Sequence, residues 1–397
     1  MDNIKLDFQK HIDAGRCNGA EWIINYENKV YHDVIGYKDL DLKDKLNKNS
    51  YYRVWSMTKP IVGFAAMQLA EKKFLSLDYT IDRYLPEFKN IKKLNSLTSK
   101  LSDTSPVDNL PTIRQLLQHT AGFTYNSSDN NLAQEYEDKG LFHSPTSSLE
   151  EEVNKILELP LLYEPGSNWH YSISIDILAR IIEIVTKDKI INILKENIFD
   201  PLEMNQTNFF INESNQKNLV ETFEYSFDKS QLTNLNLDKR KLILYGYPTT
   251  NQNYSRGGHG LFSTAEDYEK FATMLINGKN KNSKPLVNTD TLEMMRNNSL
   301  TADLFPLEIT SINTKKDIDY ENDLIGYGWG MGMRVLMKNT NQNKYGTIGE
   351  FGWSGYASTY FLVDPINNLS AVLMMQIVDA HKNIKQDFYN NIFKNIK

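Results

Sequence analysis

The chain has 397 residues, enough for two domains or for one large domain with an insertion. Its 40% hydrophobic content fits a globular protein, and a net charge of −6 with mixed signs gives no electrostatic footprint for nucleic acid. No apolar stretch is long enough to span a bilayer, and the N-terminus lacks the apolar core of a signal peptide. Since Cys17 is the single cysteine, no intrachain disulfide can form, and we expect a cytoplasmic protein without a membrane span.

The N-terminal part is predicted to contain two helices and a hairpin. Residues 3–14 show the apolar period of an amphipathic helix. Residues 21–26 and 29–37 alternate between apolar and polar side chains, and two turn-forming residues join them, which predicts a β-hairpin. An aromatic, extended segment at 51–55 precedes an apolar run that predicts a helix to about Lys73.

The middle of the chain is predicted to be mostly helical. A helix at 112–119 ends in a glycine-bearing turn, and the polar segment 124–147 is long enough for a functional wall or lid. Further helices are predicted at 148–159, 174–187 and 189–198. Residues 86–110 are polar and irregular, and residues 205–255 are rich in asparagine and poorly periodic.

The C-terminal part changes to strand patterns between two helices. Ser263 and Glu266 predict a capping box that opens a helix to about Ile276. Strands are predicted at 328–337, 345–349, 358–363 and 369–378, with a turn at 364–368, and a last helix is predicted at 380–393.

These patterns predict an α+β fold with two domains. Strands from both ends of the chain are expected to pair in one antiparallel sheet, with the terminal helices on one face. We therefore predict a sheet domain made of 1–85 and 256–397, and a mostly helical domain of 86–255 inserted into it.

Ser56 and Lys59 are the first candidates for chemistry. Their spacing places a hydroxyl at the first turn of the predicted helix and an amine one turn further along the same face. A serine is a poor nucleophile unless a base and a positive dipole assist it, and this position supplies both. The alternative is a helix N-cap beside a solvated lysine. The same spacing at Ser214/Lys217 and Ser226/Lys229 lacks an apolar helix and is attributed to chance.

Two other segments carry candidate residues. Tyr171 lies just before an apolar-periodic helix, and a phenol near a lysine is expected to be biased toward phenolate and to act as a base. The alternative is a tyrosine packed on the helix start. Residues 351–356 are glycine-rich, and an edge strand there would offer the Tyr356 N–H, with that of Ser56, to an oxyanion. The alternative is a turn with a core tryptophan.

Together these segments resemble the serine β-lactamase-like superfamily, which includes penicillin-binding proteins. Ser56-x-x-Lys59, Tyr171-Ser172-Ile173 and Trp353-Ser354-Gly355 occur in the order that this superfamily shows, and class C β-lactamases and family VIII carboxylesterases are the most similar branches. The resemblance implies a functional site in the cleft between the sheet domain and the helical domain. It implies a Ser56 nucleophile, with Lys59 and Tyr171 sharing the proton. It also implies that Trp353, Ser354, Gly355, Tyr356 and Ile173 line the substrate or oxyanion region.

Two departures from lactamases bear on substrate. Trp353 stands where a lysine would bind the substrate carboxylate, and Ile173 stands where an asparagine would contact the acyl-amide. Because neither side chain replaces those polar contacts, the resemblance favours an esterase of short- to medium-chain acyl groups.

Several alternatives remain open at this point. The chain is also compatible with a D-aminopeptidase or other amidase, with an acyltransferase, less well with a β-lactamase, and least with an inactive binding protein. The histidines are scattered without metal-ligand spacing, so we expect no metal or other cofactor. The expected partner is a small-molecule ester.

Overall fold

A computed structural model gives the fold of residues 2–41, 43–141, 144–235, 248–309 and 324–396. The helices are α1 (Asp2–Asp13), α2 (Thr58–Glu71), α3 (Ile113–Gln118), α4 (Asn131–Asp138), α5 (Leu149–Ile156), α6 (Ser174–Thr186), α7 (Ile190–Leu194), α8 (Asp200–Leu202), α9 (Ala265–Asn277), α10 (Thr289–Arg296) and α11 (Lys382–Ile396). One π-helical turn, Lys195–Phe199, joins α7 to α8. Within these ranges no helix is both long and apolar enough to cross a bilayer.

The strands of the described ranges form one large sheet and three small ones. They are β1 (Gly19–Tyr26), β2 (Lys29–Gly36), β3 (Tyr52–Arg53), β4 (Lys92–Leu94), β5 (Thr104–Pro106), β6 (Phe223–Ser226), β7 (Gln231–Asn234), β8 (Phe262–Ser263), β9 (Tyr327–Trp329), β10 (Arg334–Leu336), β11 (Phe351–Ser354), β12 (Tyr360–Asp364), β13 (Leu369–Met374) and β14 (Ile377–Val378). The large sheet has the order β2-β1-β13-β12-β11-β10-β9, and its neighbouring strands are antiparallel.

The predicted joining of the two ends of the chain is confirmed. Strand β1 pairs with β13 over six residues, from Glu21 opposite Met374 to Tyr26 opposite Leu369. Helices α1 and α11 pack together on the outer face, where Phe8 and Phe388 belong to one buried cluster. Helix α9 covers the other face by packing on β12 and β13. The predicted α+β class, with an antiparallel sheet flanked by the terminal helices, is therefore correct.

Several local predictions near the sheet are wrong. Residues 328–337 form two strands, β9 and β10, because Gly332 adopts a φ of 94° and reverses the chain. The strand predicted at 345–349 is absent, and β11 begins instead at Phe351. The predicted strand 369–378 is divided between β13 and β14, which lie in different sheets.

Other corrections concern helix starts and loops. The cap of α9 is Thr264 rather than Ser263, since the Thr264 side chain accepts a hydrogen bond of 3.3 Å from the Asp267 N–H. The segment 124–147 contains the helix α4, and the segment 205–255 contains β6 and β7. Residues 142–143 and 236–247 of these two segments lie outside the described ranges.

The predicted domain boundaries stay a prediction. In the described ranges, β6 from the middle of the chain pairs in parallel with β14, with Phe223 opposite Ile377. This pairing brings the asparagine-rich segment next to the C-terminal strands.

Candidate active site

The segment before Ser56 is held between two other parts of the chain. Strand β3 pairs with β8, which sets Arg53 opposite Phe262. The Gln376 side chain accepts from the Arg53 N–H at 3.3 Å and donates to the Arg53 carbonyl at 2.9 Å. These contacts fix the chain three residues ahead of the serine and so limit where its side chain can lie.

Ser56 lies in a 3₁₀ turn, Trp55–Met57, that leads directly into α2. Trp55 has a φ of 47°, in the left-handed region that bulky residues rarely adopt. Such conformations persist where the surrounding structure imposes them, and they are concentrated at functional sites. The Ser56 side chain is half-buried at the start of the helix, with its hydroxyl near the amine of Lys59.

Lys59 is fully buried in the first turn of α2. Its Nζ donates to Ser56 Oγ at 3.2 Å, to the Tyr125 hydroxyl at 2.8 Å and to the Gly258 carbonyl at 2.6 Å. Residues 58 to 69 of α2 are all buried, so the lysine side chain is shielded from bulk water. The alternative of a solvated surface lysine is therefore wrong.

Burial also changes the acidity of this amine. Desolvation lowers the pKa of Lys59 to about 7, and the negative charge of Asp176 opposes that change. The Nζ lies 4.7 Å from the ring centroid of Tyr171 and 5.1 Å from that of Tyr125. A lysine with such a pKa is partly neutral near neutral pH, so it can accept a proton from a hydroxyl.

Tyr171 lies at the end of the loop before α6 and is directed at the serine. Its hydroxyl is hydrogen-bonded to Ser56 and accepts a 2.9 Å bond from the Trp353 indole N–H. Burial raises the pKa of this phenol, and the bonds to Ser56 and Trp353 oppose the rise only in part. The expected bias toward phenolate is therefore wrong in direction, and the resting side chain is a neutral phenol.

The segment 351–356 brings the third motif beside the serine. Trp353 lies in β11, an interior strand between β10 and β12 rather than an edge strand or a turn. A Cβ at Gly355 would overlap Thr359 Oγ1 and the Val54 carbonyl, so only glycine allows this strand to approach the segment before Ser56. The Tyr356 ring packs edge-on against Trp55 with centroids 5.6 Å apart.

The two remaining predicted site residues, Ile173 and Ser354, are not part of the hydrogen-bonded group around Ser56. Ile173 is fully buried in the main core, and its N–H donates to the Thr124 carbonyl at 3.2 Å. Ser354 is opposite Tyr360 in the sheet, and it lines the cavity on the α11 side together with Gly355 and Tyr356. The structure thus brings Ser56, Lys59, Tyr171 and Trp353 into one hydrogen-bonded group.

The family-model comparison matches the beta-lactamase family over residues 5–392. The chain belongs to the beta-lactamase family.

The similarity of this family member to known relatives extends over nearly its whole length. The lovastatin esterase of Penicillium rubens is 24% identical over 416 residues, which cover 98% of this chain and 97% of the relative. EstCE1, described as a hydrolase with promiscuous acyltransferase activity, superposes with a TM-score of 0.77 at 23% identity, covering 99% of this chain and 98% of its own. Simvastatin synthase (LovD) from Aspergillus terreus superposes with a TM-score of 0.78 at 19% identity, covering 99% and 97%. At such identities the two superpositions establish the shared fold.

This beta-lactamase family member has site residues that the sequence patterns did not single out. Tyr125 contacts Lys59 but lies 66 residues further along the chain, in a segment without periodicity. Asp176 is fully buried in the first turn of α6, and its Oδ1 accepts from the Gly258 N–H at 3.0 Å. An acid within the apolar run of α6 was a detectable signal, because buried carboxylates are rare without a partner.

Gly258 lets these groups come together. A Cβ at this position would overlap Asp176 Oδ2 and lie 2.9 Å from the Tyr125 hydroxyl. Its carbonyl accepts from Lys59 while its N–H donates to Asp176, so one peptide segment joins the amine to the carboxylate. The arrangement holds a serine hydroxyl, a buried amine and a phenol close together, which is a geometry compatible with proton removal from the hydroxyl.

Proposed function

We propose that this protein is a serine carboxylesterase that cleaves short- to medium-chain esters through an acyl-enzyme on Ser56. The contact of 3.2 Å between the buried Lys59 amine and Ser56 Oγ is the observation that carries the proposal. Burial that lowers the pKa of this lysine to about 7 gives it the basicity that a serine nucleophile requires.

The proposed reaction has two halves. In acylation the Ser56 O–H bond breaks, its proton passes to the Lys59 and Tyr171 pair, and Oγ bonds to the ester carbonyl carbon. The N–H groups of Ser56 and Tyr356 stabilise the oxyanion, and the alcohol leaves with the proton. In deacylation the same pair removes a proton from water, and the resulting hydroxide bonds to the acyl carbon. The bond from that carbon to Oγ then breaks, and the pair returns the proton to Oγ, which releases the acid and free Ser56.

The two basic groups are assigned different resting states. Since burial raises the pKa of Tyr171 and lowers that of Lys59, the neutral amine is the resting proton acceptor. The Tyr171 phenol, hydrogen-bonded to Ser56 on one side and to Trp353 on the other, is placed to relay the proton toward the leaving alcohol. The pair titrates as a unit, so measured pKa values belong to both groups.

Two features favour an ester over a β-lactam. The indole N–H of Trp353 already donates a hydrogen bond to the Tyr171 hydroxyl, and this side chain has no positive charge to bind a lactam carboxylate. Ile173 is a buried hydrocarbon and cannot bond an acyl-amide. The similarity to a lovastatin esterase and to EstCE1, which is described as a hydrolase, supports the same class of chemistry.

Acyl transfer to an alcohol is the second candidate, because EstCE1 is described as having such an activity. Adding a primary alcohol to an ester assay distinguishes the two: a transferase yields the new ester in preference to the free acid.

The proposal is tested by hydrolysis of p-nitrophenyl esters of increasing acyl length, beside a chromogenic cephalosporin. We expect ester turnover with a maximum at short to medium chains and little cephalosporin cleavage. Faster cleavage of the cephalosporin than of any ester would contradict the esterase assignment.

The pH dependence of this reaction depends on Lys59. Only the neutral amine accepts a proton, so kcat/KM should fall as pH drops through about 7, the pKa that burial gives this lysine. Because the Asp176 charge raises that pKa, Asp176→Asn should move the acidic limb to lower pH. The measurement is the pH profile of kcat/KM for the wild type and for Asp176→Asn. If the acidic limbs of the two profiles coincide, the charge of Asp176 does not influence the pKa of Lys59.

Trp353→Phe should reduce acylation about tenfold. It removes the 2.9 Å indole hydrogen bond that positions the Tyr171 hydroxyl and opposes the rise in its pKa, an effect of about 1–2 kcal/mol. Trp169→Phe is the matched control, since its indole N–H has no hydrogen-bond partner in the described ranges although its ring also packs near Tyr171. Equal kcat/KM losses in the two variants would mean that Trp353 acts through packing alone.

A further inference from the structure

The hydroxyl of Tyr125 is a partner of Lys59 that has no part in the proposed reaction. Its oxygen lies 2.8 Å from Lys59 Nζ, closer than Ser56 Oγ at 3.2 Å. Tyr125 lies in the loop after α3 and is buried in the main core. Because burial raises the pKa of this phenol well above its ordinary value, the side chain keeps its O–H proton across the neutral pH range.

The protonated form of Lys59 is fully satisfied by its contacts. An ammonium group has three N–H donors and no acceptor. Three oxygens lie within hydrogen-bond distance of Nζ, namely Ser56 Oγ, the Tyr125 hydroxyl and the Gly258 carbonyl. Each oxygen can accept one N–H, so these contacts stabilise the charged form, in which the amine cannot act as a base.

The neutral form of Lys59 has to divide the same three contacts differently. A neutral amine has two N–H groups and one lone pair, and the Gly258 carbonyl can only accept one of the N–H groups. The hydroxyls of Ser56 and Tyr125 can each donate or accept, so they share the second N–H and the lone pair. Lys59 can take the serine proton only when its lone pair faces Ser56 rather than Tyr125.

The proton of the Tyr125 hydroxyl has no other acceptor among the residues that the structure describes. Lys59 is the hydrogen-bond partner of this hydroxyl. Asp176 acts on the phenol through its charge, but Asp176 Oδ2 has no hydrogen-bond partner in the same ranges. Since a buried donor without an acceptor is costly, we expect the phenol to donate to the lone pair of Lys59 when the amine is neutral.

Asp176, in the first turn of α6, supplies the negative charge that faces Lys59. Burial lowers the pKa of Lys59 to about 7, and the charge of Asp176 opposes that change. Arg256 and Glu152 act on Asp176 in turn through their own charges. In the described ranges none of these three groups forms a hydrogen bond with Nζ, so they leave the direction of its protons to the hydroxyls.

Other titratable groups around Lys59 are neutral. Burial and the positive charge of Lys59 lower the pKa of His119, which follows α3, well below its ordinary value. Burial is also the main cause that lowers the pKa of His259, and it raises the pKa of Tyr171. Removal of the Tyr125 hydroxyl therefore changes the hydrogen bonds of Nζ without changing the charges around it.

We propose that Tyr125 is a positioning residue whose hydroxyl competes with Ser56 for the amine of Lys59. It accepts an N–H from the charged amine and donates to the lone pair of the neutral amine, so in both states it opposes proton transfer from Ser56. The inference rests on the proposed function, in which Lys59 is the proton acceptor. It adds that Tyr125 restrains the reactivity of the serine at low pH.

The test is an NMR titration of the full chain labelled with ¹³C at the ε carbon of lysine. The Lys59 signal is assigned as the one that is missing from the spectrum of Lys59→Arg. Tyr125→Phe removes the hydroxyl and keeps the ring, and we expect the titration midpoint of Lys59 to fall by about one pH unit, since the ammonium form loses one hydrogen bond. An unchanged or higher midpoint would overturn the proposal.

Tyr268→Phe is the matched control for this change. Tyr268 is also fully buried, and its hydroxyl donates a 2.8 Å hydrogen bond to the Met57 carbonyl, just before α2, without contacting Lys59. Its loss should move the Lys59 midpoint by less than about 0.3 pH unit. Tyr125→Met, which also lacks a hydroxyl, is the second variant and should lower the midpoint in the same direction as Tyr125→Phe.

Ester kinetics provide the second readout. In Tyr125→Phe the acidic limb of kcat/KM should move to lower pH by the same amount as the NMR midpoint, and the rate at high pH should equal or exceed that of the wild type. A rate at high pH that falls more than about tenfold, with an unmoved limb, would make Tyr125 a proton donor in the reaction and overturn the proposal. Failure of the proposed function gives a different result, because the NMR midpoint would still shift in a protein that does not cleave esters.

Discussion

Replacing Ser56 with alanine should lower ester turnover by about 10,000-fold or more and leave the fold intact. The hydroxyl is the only group of this residue that contacts the buried amine, and the acyl-enzyme cannot form without it. The side chain is half-buried and makes no helix cap, so its loss removes little packing. Hydrolysis of a p-nitrophenyl ester gives the activity, and circular dichroism with thermal unfolding tests the fold.

Ser214→Ala is the matched control for this change. Ser214 and Lys217 repeat the Ser-x-x-Lys spacing in an exposed 3₁₀ segment, Glu213–Asn218, that has no buried residue. The control should retain full activity, since Ser214 lies in a segment that contains no buried amine. Near wild-type turnover in Ser56→Ala would exclude this serine as the nucleophile.

Tyr171→Phe should lower the acylation rate by about 100-fold to 10,000-fold, the usual contribution of a general acid–base group. The change deletes the hydroxyl that bonds Ser56 and accepts from Trp353, while the ring that packs against Trp353 and His119 remains. Stopped-flow release of p-nitrophenol in the first turnover measures acylation separately from deacylation.

A second buried phenol provides the control for Tyr171→Phe. Tyr163 donates a 3.4 Å hydrogen bond to the His119 carbonyl and makes no contact with Lys59 or Ser56 in the described ranges. Tyr163→Phe should therefore change stability slightly and acylation not at all. An unchanged acylation rate in Tyr171→Phe would leave Lys59 as the base without a phenolic relay.

Local patterns predicted the elements whose signals are complete within a few residues. The helix Asp2–Asp13 follows from its apolar period, and the hairpin of β1 and β2 follows from alternation around Glu27 and Asn28, whose φ values of 49° and 65° suit a tight turn. The sheet that joins both ends of the chain was also predicted, because edge-forming hairpins at each end need partners.

The same patterns failed where glycines interrupt a strand or where two caps compete. The glycines at 352 and 355 left the sequence prediction for this segment between an edge strand and a turn, although β10 and β12 hold β11 as an interior strand. Ser263 and Thr264 are both suitable caps, and Ser263 is used instead by β8, where its hydroxyl lies 2.8 Å from that of Thr207. Tertiary pairing decided both cases.

The sequence by itself determined the fold class and the serine, lysine and tyrosine that we assign to the site, because periodicity, spacing and motif order can be recognised along the chain without knowledge of its folding. Only the tertiary structure decided the state of these groups. The contacts of Lys59 with Tyr125 and Gly258 join residues 66 and 199 positions apart, and its pKa depends on how completely those partners exclude water. Desolvation is a property of the packed core, so no pattern along the chain can report it.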